Sequence, residues 1–407
     1  MMIPSASHLR SERGAVIVHV AIALIGLMAL SAFVIDYGVL WASRRQAQNS
    51  ADAAAMAGAI SLAFGDFNDQ AMARQSALTV AGLNGVWDAA PDVGPGDVTF
   101  PVCPPGSPGA GTNSCIRVNV FRTTYQRAGG NPLPTFFGTL VGVNNQGVRA
   151  TATAEALFGN STDCVKPWAI ADKWVERRDD RGPAGWSETD TFEHYNNQDV
   201  PYDPFDLYDS TTGFTPESVG LGGGDHGRYL VLKTGQPNDA IAPGLFHPVR
   251  INPSEQGGAA YRDNIASCDP TVIGPGTVVD TEPGNMIGPT RQGMADLIAQ
   301  DPNAWWDPNM YGTGRGGVSG GCTASGACAI SPRLVAIPVY DPEAFQAAPG
   351  PDSGMTELTI VKVVGFFLDH MQGNDVAGYI TTYPSRPNAG MGGIPGQNFV
   401  VSVALVR

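Results

Sequence analysis

Six cysteines are the residues of this 407-residue chain whose types and spacing most directly suggest chemistry. Cys103, Cys115, Cys164, Cys268, Cys322 and Cys328 make an even number, which suits disulfides formed in an oxidising compartment. Cys103 and Cys115 flank the turn-rich run from Pro104 to Gly111. A bond between them closes a loop of roughly 13 residues and stabilises by about 3 kcal/mol. Cys322 and Cys328 are close enough to bond locally, which leaves Cys164 with Cys268, although four cysteines allow other pairings.

Other patterns offer less. Gly317-Val318-Ser319-Gly320-Gly321 has the letters of a nucleophile elbow, which needs a strand before the serine and a helix after it. The flanks suggest neither, and we assign the match to chance. Gly222-Gly223-Gly224-Asp225-His226-Gly227 has the letters of a dinucleotide fingerprint, but that motif must open a helix that receives a pyrophosphate. Here it opens onto a strand pattern from Tyr229 to Lys233 and suits a glycine-rich approach to a hairpin. His194, His226, His247 and His370 are scattered, without helical metal-ligand spacing. Asp199, Asp203, Asp206 and Asp209 crowd one loop with Tyr202, Phe205 and Tyr208. Oxygen ligands at that density suit calcium, but the EF-hand order is missing, so they are weak metal candidates. We assign no catalytic residue and no cofactor.

The element that positions everything downstream is the uncharged run Ala15–Ile35. Its length is enough to cross a hydrocarbon core roughly 30 Å thick as a helix, and exceeds the roughly 7–15 apolar residues of a cleaved signal peptide. Tyr37 and Trp41 follow one helical turn apart, as amphipathic rings do at a headgroup boundary. Arg10 and Arg13 on one flank balance Arg44 and Arg45 on the other, so basic residues do not set the orientation. The cysteines do: the bulk of the chain is expected outside the cytoplasm. His19, near the start of the span, is given no role.

From Asp36 to Phe64 there is no proline, and helix formers dominate, so the anchor is expected to continue outward as one helix. Ala47, Ala51, Ala54, Gly58, Ser61 and Gly65 recur at spacings of four and three. They make a seam of small side chains that another backbone could approach closely, or a seam that an alanine-rich helix offers by chance.

A resemblance rests on these residues. Glu12-Arg13-Gly14, the apolar span, Val34-Ile35-Asp36-Tyr37-Gly38, Arg44-Arg45-Gln46-Ala47-Gln48, and Ser50-Ala51-Asp52-Ala53-Ala54-Ala55-Met56-Ala57-Gly58-Ala59 together resemble the N-terminal module of TadE/TadG-like proteins of the bacterial Flp, or tight-adherence, pilus system. The resemblance covers about the first 60 residues. It implies a bacterial envelope protein, anchored by one N-terminal helix, that serves pilus assembly or surface attachment. Five residues past Gly14 stands His19 where pilin-type maturation usually wants Glu, so the resemblance implies an uncut membrane protein. Some TadG-like proteins carry a von Willebrand A domain with an Asp-x-Ser-x-Ser metal site. The nearest approach, Asp209 to Gly213, fails at the third and fifth positions.

Beyond the anchor, a second helix is expected from Phe67 to Asn84, capped by Asn68 or Asp69. Strands are expected around Val98–Val102, Ile116–Val120 and Val148–Ala156. The last has a small-residue face, Ala150, Ala152, Ala154 and Ala156, on which a helix can lie close. After a boundary near Gly159, strands are expected at Tyr229–Lys233, Thr277–Asp280, Leu334–Tyr340, Leu358–Leu368, Val376–Thr382 and Phe399–Val406, with one helix at Pro289–Ala299.

The expected architecture is α+β: a cytoplasmic leader (1–14), a transmembrane anchor (15–35), a pilin-like helix packed on an antiparallel sheet (36–158), and a mostly-β extracytoplasmic domain of unknown function (159–407). With a formal net charge of −14, the chain repels phosphate backbones, and nucleic acid is not an expected partner. The expected function is a non-enzymatic structural or assembly role in the bacterial inner membrane, single-pass, with other pilus-assembly or pilin-like proteins as partners. The rival is a membrane-tethered enzyme or ligand-binding protein with its site in residues 160–407.

Overall fold

In a computed structural model the structure describes residues 13–65, 67–124, 130–177, 187, 189–196, 200–211, 213–217, 224–235, 239–284, 286–310, 315–347, 356–385, 393 and 396–406. Most of the leader, Asp199, and Gly222 and Gly223 of the glycine-rich motif lie outside them.

The first half of the chain contributes α1 (Arg13–Phe64), α2 (Gln70–Leu83), β1 (Val98–Thr99), β2 (Cys115–Arg122), β3 (Leu133–Pro134), β4 (Asn145–Gln146), β5 (Val148–Gly159) and β6 (Trp168–Ala171). Then come β7 (Tyr229–Thr234), β8 (Leu245–Pro248), α3 (Gly258–Ala266), β9 (Val278–Asp280), α4 (Ile287–Ala299), β10 (Ala304–Asp307), β11 (Gly317–Gly320) and α5 (Gly321–Ala324). The last are β12 (Leu334–Tyr340), α6 (Pro342–Gln346), β13 (Glu357–Gln372), β14 (Asp375–Thr381), β15 (Tyr383–Pro384) and β16 (Val400–Val406). The protein is α+β, as expected.

Two compact units interleave in sequence. One comprises the chain up to Ala57, Arg74–Thr99 and Arg117–Thr153; the other comprises Gly58–Ala73, Phe100–Ile116 and Ala154–Arg407. They do not divide at Gly159. The Gly393 amide donates to the Phe158 carbonyl, so a segment near the C-terminus is tied to the end of β5 inside the second unit.

α1 runs without a proline for 52 residues, roughly 78 Å at the usual helical rise, and belongs to the first unit as far as Ala57. The Asp69 carboxylate caps α2 through the Met72 amide, and the Ser50 hydroxyl donates to the Ala81 carbonyl across the two helices. Buried Val148, Ala150 and Ala152 alternate with exposed Arg149 and Thr151 along β5. The Gln48 amide donates to the Thr151 carbonyl, so small side chains let strand and helix lie close. β1 is shorter than the Val98–Val102 alternation suggests, because Pro101 lacks the donor a ladder needs.

In the second unit six strands close on themselves in the order β12-β6-β8-β7-β14-β13, with β13 pairing back to β12. β9 adds to the beginning of β13 through Leu358 and Val279. Successive residues point to opposite faces. Ile170, Ile337, Val364 and Phe366 enter one core together with Tyr261, Ile265, Met294 and Leu297 of α3 and α4, while Ala169, Ala336 and Val363 enter another with Trp174 and Phe192. The observed α4 begins two residues before Pro289. The helix α3 escaped the sequence reading because Tyr261 and Ile265 are its only buried residues. Its place is set by α4: a side chain at Gly293 would sit 2.8 Å from Ile265 Cβ. β6 and β8 also escaped it, since four-residue strands bordered by Pro167 and ending in Pro248 are too short to show a period.

Candidate functional site

The first unit builds its most developed site where the apolar part of α1 ends. The Asp36 carboxylate accepts from three consecutive amides of the turn after β3: Phe136 at 2.7 Å, Phe137 at 3.1 Å and Gly138 at 2.6 Å. The Phe136 amide does most to hold the Asp36 carboxyl below the usual carboxylate range; partial burial opposes it, and the Gly138 and Phe137 amides add to it. The Gln146 side chain donates to the Asp36 carbonyl at 3.2 Å and to the Pro134 carbonyl at 3.2 Å. β3 and β4 pair as Leu133↔Gln146 and Pro134↔Asn145. Asp36 thus clasps the Leu133–Gln146 hairpin to the helix.

Beside the clasp lies a groove of about 800 Å³ lined by α1 residues from Leu24 to Leu40 and by Thr135, Phe137, Gly138, Leu140, Val143 and Gln146 of the hairpin. Phe136, Phe137, Leu140 and Val143 are exposed, Leu140 at 82%. A second hollow of about 300 Å³ is lined by Tyr37, Leu40, Trp41, Arg44, Gly147, Val148 and Arg149. Arg45 stacks over the Trp41 ring, 3.8 Å from its centroid. Among the described residues one helix is long and apolar enough to cross a membrane, and its most apolar window has no part buried in the protein.

The seam is placed differently along its length. Ala47, Ala51 and Ala54, in the first unit, and Gly58 and Gly65, in the second, are buried inside this chain, while Ser61 is half-buried. These positions are occupied by the protein's own packing, so they do not present an open face for a partner.

The cysteines join as Cys103–Cys115, Cys164–Cys268 and Cys322–Cys328, and no free cysteine is among the described residues. Two sets of potential metal donors occur, Cys103/Cys115/Glu155 and Asp301/Cys322/Cys328. A disulfide sulfur is no thiolate, so each set keeps one carboxylate. Burial pushes the Glu155 carboxyl above its ordinary range, only partly offset by the Gly109 amide and the Ser107 hydroxyl. A side chain at Gly109 would collide with that carboxylate.

Of the four aspartates in the acidic loop, Asp199 lies outside the described residues. Asp203, Asp206 and Asp209 do not gather within ligand reach of one another. Buried Asp206 accepts from the Arg177 and Glu193 amides, and Asp209 accepts from the Thr211 amide and hydroxyl. These carboxylates shape turns. In the elbow pattern the strand is the motif itself, β11, and the short helix α5 follows it. Ser319, however, lies within β11 opposite Trp305, and the sharp positive-φ turn falls on Gly320 and Gly321, not on the serine. Asp225 and His226 do precede a strand, β7.

Two buried aspartates of the second unit are matched by cations. Asp172 meets Lys362 at 2.8 Å and the Tyr208 hydroxyl at 3.0 Å; Asp225 meets Lys173 at 2.8 Å and Arg228 at 2.6 Å. Three further basic groups are held well below their ordinary proton affinity. Burial lowers the pKa of Lys166 to about 8, that of His226 to about 3 and that of His247 to about 4. His226 lies against Trp306, whereas His247 lies between Tyr340 and Phe345.

The hairpin and its clasp went unseen in the sequence. The available signal was the charge-free, apolar run from Leu133 to Val143, which is too short and too rich in glycine and proline to suggest a span.

Residues 14–61 match the family described as "Putative Flp pilus-assembly TadE/G-like", over the stretch whose residues carry the resemblance. No curated protein and no solved structure matches the chain.

Proposed function

We propose that this chain is a non-enzymatic structural or assembly component of a bacterial Flp (tight-adherence) pilus system, held in the inner membrane by Ala15–Ile35 with most of its mass outside the cytoplasm. The observation that carries the reading is one helix with two environments. Inside the family-matched stretch, the large apolar side chains from Val16 to Val34 stay exposed, whereas Ala47, Ala51 and Ala54 are packed away. An apolar helix surface of that length needs a lipid solvent.

Three disulfides support an oxidising compartment for the residues beyond the span. The pairing of Asp172 with Lys362 and of Asp225 with Lys173 supports a structural use of the buried charges. Partners are expected to be other pilus-assembly or pilin-like proteins, engaged through exposed positions of α1 and not through the buried seam.

Cells carrying the full chain are fractionated with an alkaline wash and probed with a thiol reagent. The protein is expected to stay in the membrane with all cysteines unreactive until reduced. A photo-reactive residue at Asn49 or Ile60, both exposed, is expected to crosslink to other proteins of the pilus system. A washed-out protein with reactive thiols overturns the anchored reading; a retained protein that crosslinks to no pilus component overturns the assembly role.

A further inference from the structure

We propose that the Leu133–Gln146 hairpin and the outer end of the span together hold a membrane phospholipid, with an acyl chain in the groove and its anionic headgroup between Arg44 and Arg149. The proposal rests on the membrane-anchored reading above. It commits to lipid as the occupant because the groove continues the surface that reading gives to the bilayer.

The hairpin is built to tolerate hydrocarbon. From Leu133 to Gln146 it has no Asp, Glu, Lys or Arg, and it presents Phe136, Phe137, Leu140 and Val143 outward. Irregular backbone survives at membrane depth only when its polar groups are satisfied. Here the Phe136, Phe137 and Gly138 amides are taken by Asp36. The Leu140, Gly142 and Val143 amides donate to the Phe137, Thr139 and Gly138 carbonyls. The Thr135 hydroxyl donates to the Val143 carbonyl at 2.7 Å. Asp36 therefore does more than close a turn, because it removes three donors that a leaflet could not solvate.

The dimensions agree. The groove reaches from Leu40 past Asp36 to Leu24. Asp36 to Leu24 is roughly 18 Å of helix at the usual rise, close to half of a core about 30 Å thick. The groove thus spans one leaflet. At the Asp36 end the lining turns from aliphatic to aromatic and basic, with Tyr37, Trp41, Arg44 and Arg149 around the smaller hollow. Aromatic rings favour the headgroup level, and a guanidinium fork matches phosphate geometry. In a chain of formal net charge −14, this basic group is complementary to an anionic lipid and to little else in the chain.

The full-length protein is tested in three arms. An alkaline wash first asks whether it is membrane-held. The protein purified in detergent is then titrated with phosphatidylglycerol and with phosphatidylcholine by native mass spectrometry. The wild type is expected to retain phosphatidylglycerol at least tenfold more tightly. Arg44→Gln combined with Arg149→Gln is expected to reduce that preference about tenfold, while Leu140→Gln, at an exposed position that does not threaten folding, is expected to weaken both lipids alike. Lastly, a photo-reactive residue at position 140 in native membranes is expected to label acyl chains. Equal affinity for the two lipids with no response to the arginine changes, or labelling of a protein chain at position 140, overturns the lipid site while a membrane-retained protein leaves the anchored reading standing. A protein released by the wash overturns both.

Discussion

Ile25 and Ile337 are the same side chain in opposite circumstances: the first is 62% exposed on α1, and the second is 0% exposed in β12. Both belong to apolar runs, yet only the second run finds protein to pack against. In the closed sheet each residue's neighbours arrive from strands distant in sequence, as when Ile337 lies opposite Val364. Along the apolar N-terminal part of α1 too few arrive to take Ile25 or Leu30 out of water, so the stabilising medium must come from outside the chain. Apolar content thus measures how much surface must leave water and leaves open where it goes.

The largest test of this contrast is removal of Cys164–Cys268, which closes 104 residues of sequence inside the second unit. Replacing both with serine is expected to cost about 4–5 kcal/mol, measured by denaturant unfolding in detergent, with membrane retention unchanged. Next, one substitution in two places sharpens the comparison. Leu232→Ala, in a fully buried position, is expected to cost about 3 kcal/mol, whereas Leu30→Ala, exposed on α1, is expected to leave the unfolding midpoint where it is. An equal loss at both would mean that the span packs on protein and would break the contrast.

Glu155→Gln is expected to stabilise by about 1 kcal/mol at neutral pH. Because burial raises the folded-state pKa of Glu155, the native protein binds this proton more tightly than the unfolded chain. Stability from this group is present below the ordinary carboxyl value and is lost as pH rises through the folded value; the variant should flatten that slope. The smallest effect concerns Asp36, whose folded-state pKa is lowered. The clasp should hold above the ordinary carboxyl value and loosen as pH falls through the lowered one. In the detergent-solubilised protein, hydrogen exchange of the Phe136, Phe137 and Gly138 amides should then accelerate in acid in the wild type, and at all pH values in Asp36→Ala.

Much of the chain was legible because its signals are local. The proline-free stretch from Arg13 to Phe64 produced one helix, and β-branched runs bounded by turns marked β7, β12, β13, β14 and β16. The bonds Cys103–Cys115 and Cys322–Cys328 followed from proximity in sequence. Short elements were lost: β6 and β8 carry too few residues to show a period, and α3 has too small an apolar stripe. The boundary near Gly159 was read from a change in texture, but the units interleave, and contacts such as Gly393 to Phe158 leave no mark on composition.

The residues alone established a long apolar helix, a strand-rich remainder and cysteines placed to pair, since helix propensity, alternation and loop length act over a few neighbouring positions. Folding in three dimensions settled how those parts are used. It closed six strands on themselves and buried most of the small-residue seam. It also brought Asp36 to amides 100 residues further along the chain. Such outcomes depend on which distant surfaces meet, and a carboxylate cannot announce in sequence which amides will surround it.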